Sequence, residues 1–392
     1  MPQQVLQVTR KYEESGYLVA VKQDLIETRY YGLDRTQTAG PTCSGILPGA
    51  LSDDPVSTIL FDGGSSGAAA RTTADRGPRL LLRGNGPAQD ADLHFQAQSV
   101  IGVPLRAVMV KGACVGYAYA DADAAYCHLT GILPADTKGS RAAQTEDCLQ
   151  QLEQALAGAG MEFRDVVRTW FFLDDLLDWY GDFNRVRNAF FAARGIFDGL
   201  IPASTGIGAR NHAGAAIAAN VLAMRPKHAG VRIEAVPSPL QCPAPDYRSA
   251  FSRAVEIAFP SHRQLLISGT ASIAADGTSL HAGDMARQID RTLDVVEAIL
   301  HSRRMDWGDV TRGILYTCAD GEPSLFAETC RRRRIPRLPL MTANDVAICR
   351  PELIFEIELD AVAANSKPWS RPCVPGAKSK GPGRWCLDRL HR

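Results

Sequence analysis

Residues 166–209 read VVRTWFFLDDLLDWYGDFNRVRNAFFAARGIFDGLIPASTGIGA. The first eight are β-branched or aromatic almost throughout, which suits a pleated strand. Two aspartates follow as a turn, and Phe183, Val186, Phe190 and Phe191 then recur at helical spacing. PASTGIGA, 202–209, ends the stretch with two glycines among small residues.

Working outward, the same order of elements occurs twice. Adding 144 takes Gln144 to Gln288, Leu149 to Leu293, Met161 to Met305, Asp165 to Asp309, Val166 to Val310 and Arg168 to Arg312. The repeat runs from about 126 to 224 and again from about 263 to 362. Each copy opens with an apolar run ending near glycine, HLTGI (128–132) or LLISGTASI (265–273). A helix follows, with Leu149, Leu152 and Leu156 on one face in the first copy and Ile289, Leu293, Val296 and Leu300 in the second. A strand closes each copy, AAIAANVLAM (215–224) or ELIFEIELDAV (352–362). The fold class is therefore α+β: two-layer sandwiches with helices on one sheet face, in tandem.

The predicted layout is an N-terminal region, 1–110; copy one, 111–226; copy two, 243–363; and a disordered tail, 364–392, rich in Pro, Lys, Arg and Gly. VPSPLQCPAPDY (236–247), with four prolines, reads as a linker. In the N-terminal region VSTILFD (56–62) and RLLLRGN (79–85) read as strands around the loop GGSSGAAARTTADRG. The sequence shows no third copy there, only room for a degenerate one.

Composition narrows the function classes. Lys+Arg and Asp+Glu are 43 each, so no bulk charge points to nucleic acid or an anionic membrane. Arg331 to Arg334 reads as a solvated helix end. No stretch approaches the roughly 18 apolar residues of a membrane span, and the opening MPQQVLQVTRKYEES lacks a secretion signal's apolar core. The expected address is the cytoplasm, where ten singly scattered cysteines stay reduced. Histidines form no close ligand set, so no metal is expected. GGSSG, Gly63 to Gly67, lacks the Gly-Lys-Ser/Thr ending of a phosphate loop, and no dinucleotide fingerprint follows a strand, so no cofactor is expected.

The quoted stretch resembles the RidA/YjgF superfamily pattern of strand, aspartate turn, F-x-x-(F/V)-N-x-x helix and P-A-(R/S) loop. With the second copy ending in CRPELIFEIELDAV (349–362), it resembles the chorismatases in particular, over about residues 100 to 362. That resemblance implies a RidA-like trimer compressed into one chain: a monomer with an internal pseudo-threefold arrangement and sites in clefts between sheets. It implies removal of pyruvate from chorismate. The arginine that deaminating members carry in the loop is Ser204 in copy one and Met341 in copy two, which counts against an enamine or imine deaminase.

On LIFEIELD (353–360) alternation puts Glu356, Glu358 and Asp360 on one side, either a solvated face or a site. The resemblance places Glu356 at the family's acidic position, Ala218 in copy one, as the acid that protonates the enolpyruvyl methylene. It also marks Cys349: cysteine here resembles 3-hydroxybenzoate formers, in which a ring hydroxyl attacks and an arene oxide opens to the phenol, with some 4-hydroxybenzoate allowed. Alanine resembles hydrolytic enzymes giving a dihydroxycyclohexadiene acid. Two substrate carboxylates call for arginines, for which Arg168, Arg210 and Arg350 are candidates. Tyr180, and less so Tyr316, could donate hydrogen bonds, and Gly269 and Ala271 could bring backbone N–H groups close to a ligand.

Overall fold

The structure, a computed structural model, describes residues 6–13, 16–23, 25–35, 55–62, 77–84, 93–318 and 323–365. The expected tail from 366 onward and most of the GGSSGAAARTTADRG loop lie outside the described residues.

Three mixed sheets follow one another along the chain. The first holds β1 (Gln7–Glu13), β2 (Gly16–Gln23), β3 (Ile26–Arg35), β4 (Pro55–Asp62), β5 (Arg79–Arg83) and β6 (Leu93–Ile101). With the second go β7 (Arg106–Val110), β8 (Ala113–Ala120), β9 (Ala124–Ile132), helix α1 (Arg141–Gly158), β10 (Val166–Leu173), helix α2 (Leu176–Ala193), β11 (Ala203–Gly208) and β13 (Ile217–Pro226), while the short β12 (Arg210–Asn211) in the same stretch of chain joins the first sheet. The third comprises β14 (Arg232–Val236), β15 (Ala254–Ala258), β16 (His262–Ala271), helix α3 (Met285–Ser302), β17 (Val310–Thr317), helix α4 (Pro323–Arg333), β18 (Leu340–Ala343) and β19 (Phe355–Ala364).

Strand order is the same in all three: β1-β2-β3-β6-β4-β5, β7-β8-β9-β13-β10-β11 and β14-β15-β16-β19-β17-β18. Each ends in a parallel pair, and β12 crosses from the second unit to pair with β5 of the first. The described part of residues 7–101 is thus a third unit of the same strand order, while β7 and β14 begin the second and third units before the bounds 111 and 243 expected from the sequence. Segments 36–54 and 63–76 of the N-terminal unit, at the chain positions of the helices in the other two units, lie outside the described residues.

Backbone detail repeats more faithfully than sequence. A bulge falls between Pro55 and Ser57, Val166 and Arg168, and Val310 and Arg312, in the strand that pairs with the last strand of each unit. The short turns Phe163–Asp165 and Trp307–Asp309 share a reciprocal cap, in which Asp165 and Asp309 accept the N–H of Glu162 and Asp306 at 2.8 and 2.9 Å.

Ser140 caps α1 and Asp284 caps α3, each accepting an N–H from its first turn. Leu149, Leu152 and Leu156, and Ile289, Leu293, Val296 and Leu300, are fully buried. At about 1.5–3 kcal/mol per large apolar side chain, these stripes hold the helices to their sheets. On α2 the buried stripe is Phe183, Arg187, Phe190 and Phe191, with Val186 only half-buried.

A further apolar cluster draws on all three sheets. By pairing register Phe61, Phe172 and Tyr316 are equivalent, and they meet: Phe61 stands edge-on to Phe172 at 6.2 Å and to Tyr316 at 6.5 Å. That junction marks the pseudo-threefold axis. No helix among the described residues is long and apolar enough to cross a membrane.

Candidate active site

The acidic side of β19 is no solvated face: Glu356, Glu358 and Asp360 are 5, 0 and 8 % exposed. Burying three carboxylates is tolerable only if each is paired or neutral, and the structure uses both solutions.

Glu358 is paired. Arg168 Nη2 lies 3.1 Å from it, Arg312 Nη2 also bonds it, Trp170 Nε1 donates at 2.8 Å and Thr205 Oγ1 at 2.5 Å. Burial pushes its pKa up, but Arg168 and Arg312 hold it below the usual carboxylate value. Arg312 also bridges Asp360 at 2.6 Å and Gln96 of the first sheet at 2.7 Å. The repeated arginines of the sequence thus converge from two sheets on one carboxylate.

Glu356 takes the other course. It faces Ala271 on β16 and Tyr316 on β17. Burial first, then the like charge of Glu358, raise its pKa from 4.5 to about 8, against Arg253 and Arg168. It is therefore a buried carboxyl that keeps its proton near neutral pH.

Around it the second and third sheets meet. The loop carrying Cys349 is pinned to β11 by reciprocal backbone bonds between Gly208 and Ala347, 2.7 and 3.0 Å. A Cβ on Gly208 would lie 2.6 Å from that of Ala347, so glycine is needed there; PASTGIGA, expected as a loop, is for most of its length the edge strand β11. Gly206 of the same strand leaves Tyr180 in contact range, 3.9 Å from a built Cβ. Burial, then Cys349, raise the Tyr180 hydroxyl to about 12. Burial and Glu356 push the Cys349 thiol up to about 12, so it is no thiolate.

Of the residues singled out in the sequence, Glu356, Cys349, Tyr180, Gly269, Ala271 and Arg350 come together here. Arg350 donates to Gly277 O at 2.7 Å and to Ser279 Oγ at 3.1 Å, and stands 5.4 Å from the Tyr247 ring. The Gly269 N–H is taken by Thr205 Oγ1 at 3.1 Å. Arg168 lies wholly buried, donating also to Ile267 O at 2.6 Å. Arg210 is elsewhere: it is half-exposed on β12 and tied to Asp174 at 3.0 Å and Asp175 at 3.4 Å.

Two arginines escaped the sequence reading. Arg187 on α2 is 2 % exposed, its Nε has no partner, and its one side-chain acceptor is Asn184 Oδ1 at 2.6 Å. Burial pushes its pKa down, against Tyr180 and Tyr247, yet a guanidinium stays charged. Arg253, buried likewise, donates twice to Cys242 O at 3.0 and 2.9 Å and stands 5.4 Å from the ring of Tyr247. Neither has a carboxylate within ion-pair distance among the described residues. Arg187 sits four residues from both Phe183 and Phe191, so the helical stripe already carried it; Arg253 follows a proline-rich segment whose folding brings it in. Thr205 and Tyr247, also missed, had no such signal. No cluster of His, Cys, Asp and Glu that could hold a metal occurs among the described residues.

Residues 114–237 match the family model described as Endoribonuclease L-PSP. Among the curated proteins none matches the chain. A crystal structure of chorismatase is similar over 85 % of this chain and 98 % of its own, at 19 % identity and a TM-score of 0.61. The YjgF gene product from E. coli covers 30 % of this chain and 92 % of its own, at 19 % identity and a TM-score of 0.26. A member of the YjgF protein family from Neisseria meningitidis covers 31 % and 95 %, at 23 % identity and a TM-score of 0.26. What the chain shares with the chorismatase structure is its fold, three RidA-like α+β units in one polypeptide.

Proposed function

We propose that this chain is a chorismatase of the type that converts chorismate to 3-hydroxybenzoate and pyruvate. The observation that carries the reading is Glu356: a buried carboxyl with its pKa raised to about 8, where the second and third sheets meet, beside two buried arginines that have no acidic partner among the described residues. Chorismate is a dianion with an enol ether, so it asks for two cations and one proton donor. Arg187 and Arg253 take the two carboxylates, and Tyr180 and Arg350 border the site.

Glu356 gives its proton to the exocyclic methylene, which becomes the methyl group of pyruvate. The C–O bond to the ring breaks as the ether oxygen becomes the ketone of pyruvate. The neighbouring ring hydroxyl closes on the vacated carbon as an arene oxide, its proton returns to Glu356, and the oxide opens to the phenol. Glu358, held ionised by Arg168 and Arg312, raises the proton affinity of Glu356. Cys349, protonated, fills the cleft beside the reacting ring.

Incubation of the purified chain with chorismate tests this. The expected products, resolved by chromatography, are 3-hydroxybenzoate and an equal amount of pyruvate. A non-aromatic diol acid in their place would make the enzyme a hydrolytic chorismatase. Ammonia release from enamines with chorismate left intact would make it a deaminase.

A further inference from the structure

A cavity of about 340 Å³ lies on the pseudo-threefold axis, lined by all three sheets. Neither Glu356 nor Cys349, Arg187 or Arg253 is among its lining residues. Its lining ends at the layer of Ile59, Trp170, Asn220 and Arg312, and the next layer, Phe61, Phe172 and Tyr316, closes the axis. The other end is formed by strand-connecting turns of the three units and includes Leu25, 85 % exposed. The volume falls in the range of about 300–1,000 Å³ usual for small-molecule sites.

The cavity is built to recognise something. Two polar atoms of lining residues are buried with no partner: Nδ2 of Asn220, a donor, and Oδ1 of Asp360, an acceptor. Leaving such groups unpaired costs about 1–3 kcal/mol each, a cost that a small turn of either side chain toward a ligand with the complementary edge would remove. The walls are flat. Tyr119, Tyr126 and His128 all line the space, with Tyr119 stacked on Tyr126 at 4.8 Å and 16° and on His128 at 5.8 Å and 15°.

Charge selects the ligand further. The ions at the floor balance, Arg168 and Arg312 against Glu358 and Asp360. His128 and His262 are neutral near pH 7, because burial lowers each to about 4. Asp121 and Asp123 line the space, and its one arginine, Arg312, is already paired. Anions, chorismate and hydroxybenzoate included, find no cation here, in contrast to the Glu356 cleft.

We propose that the axial cavity is a second ligand site, for an uncharged planar ring compound whose edge carries both a donor and an acceptor, as nucleobases and aromatic amides do. The site stands whether or not the Glu356 cleft turns over chorismate.

Calorimetric titration of the full chain with nicotinamide, uracil and adenine, and with benzoate as the anionic control, tests it. At least one neutral ring is expected to bind with one site per chain, and benzoate about tenfold more weakly or not at all. Filling the cavity by Gln98→Phe should weaken that binding at least about tenfold while the near-UV circular dichroism keeps its native form. Glu356→Gln should leave it unchanged, which locates the ligand outside the cleft. Should Gln98→Phe fail to fold, Thr28→Phe fills the same space. The proposal is overturned if none of the three rings binds, if benzoate binds as well as they do, or if the folded filling variant binds like the wild type.

Discussion

A Cβ on Gly269 would lie 2.0 Å from Oε1 of Glu356 and 3.2 Å from Cγ2 of Thr205. The carboxyl of Glu356 thus rests over bare backbone of the adjoining strand, which explains a glycine in the interior of β16 where most side chains would serve the strand better. Gly269→Ala pushes away the mobile end of a side chain, so it should move the carboxyl more than it strains the fold. We expect kcat to fall by about 100-fold, the scale of an ångström's misplacement of a reacting group. KM should change little, and stability by no more than about 1–3 kcal/mol. Steady-state kinetics beside a thermal melt separate the two effects, and an unchanged kcat would remove Glu356 from its proposed place.

Glu356→Gln tests the proton itself. Turnover should drop by about 100- to 10,000-fold, and wild-type activity should fall as pH rises through about 8. Stability follows the same titration. Between pH 4.5 and about 8 the unfolded carboxyl ionises while the folded one keeps its proton, so wild-type stability declines across that window and levels above it. Glutamine cannot titrate, so the variant should gain on the wild type over the same range, by a few kcal/mol at about 1.4 kcal/mol per unit. Melting both proteins from pH 4 to 9 reads this out; parallel curves would mean that Glu356 titrates normally.

Glu358→Gln removes the like charge that helps keep Glu356 protonated and leaves Arg168 and Arg312 short of a buried partner. Both effects lower the Glu356 pKa, so the alkaline limb of the activity profile should move below pH 8. Because a buried pair loses one member, about 3–5 kcal/mol of stability should go with it. A destabilised protein whose alkaline limb stays in place would show that Glu358 only braces the sheets.

Which of these features could be read from the chain alone is decided by geometry. The offset of 144 gave the bulges at Val166/Arg168 and Val310/Arg312 their common register, because side chains and backbone repeat together there. In the first unit only the backbone repeats: Phe61 matches Phe172 and Tyr316 in aromatic character alone, and Gln96 and Asn220 stand where Glu358 does. Alternation put Glu356, Glu358 and Asp360 on one side but could not tell water from protein beyond it, since that depends on Trp170 and Arg168 arriving from another sheet. For the same reason Arg210, next to the right loop, was a plausible carboxylate ligand until β12 carried it to the edge of the first sheet.

Arg187 lies buried with no counter-ion among the described residues, an arrangement that weakens a fold and persists where a ligand completes it. Arg187→Met should therefore leave the melting temperature unchanged or raise it, while KM for chorismate climbs roughly 30-fold or more, the equivalent of about 2 kcal/mol for a charged hydrogen bond. The signature is the pairing of gained stability with lost affinity. A fall in stability at constant KM would assign Arg187 to the architecture of α2.

Cys349→Ala bears on the product. The thiol is held protonated by burial and by Glu356, so it neither attacks nor carries charge, and in the proposed reaction its contribution is volume beside the reacting carbon. Alanine vacates that volume next to a polar cleft, and a water, which takes up about 30 Å³ of liquid, becomes a competitor for the ring hydroxyl. The expected outcome is a shift from 3-hydroxybenzoate toward the dihydroxycyclohexadiene acid. In ¹⁸O-labelled water the label should enter the diol acid of the variant, whereas the phenol oxygen of the wild-type product should come unlabelled from the substrate. Equal product ratios for the two proteins would mean that water is excluded by something other than the sulfur at 349.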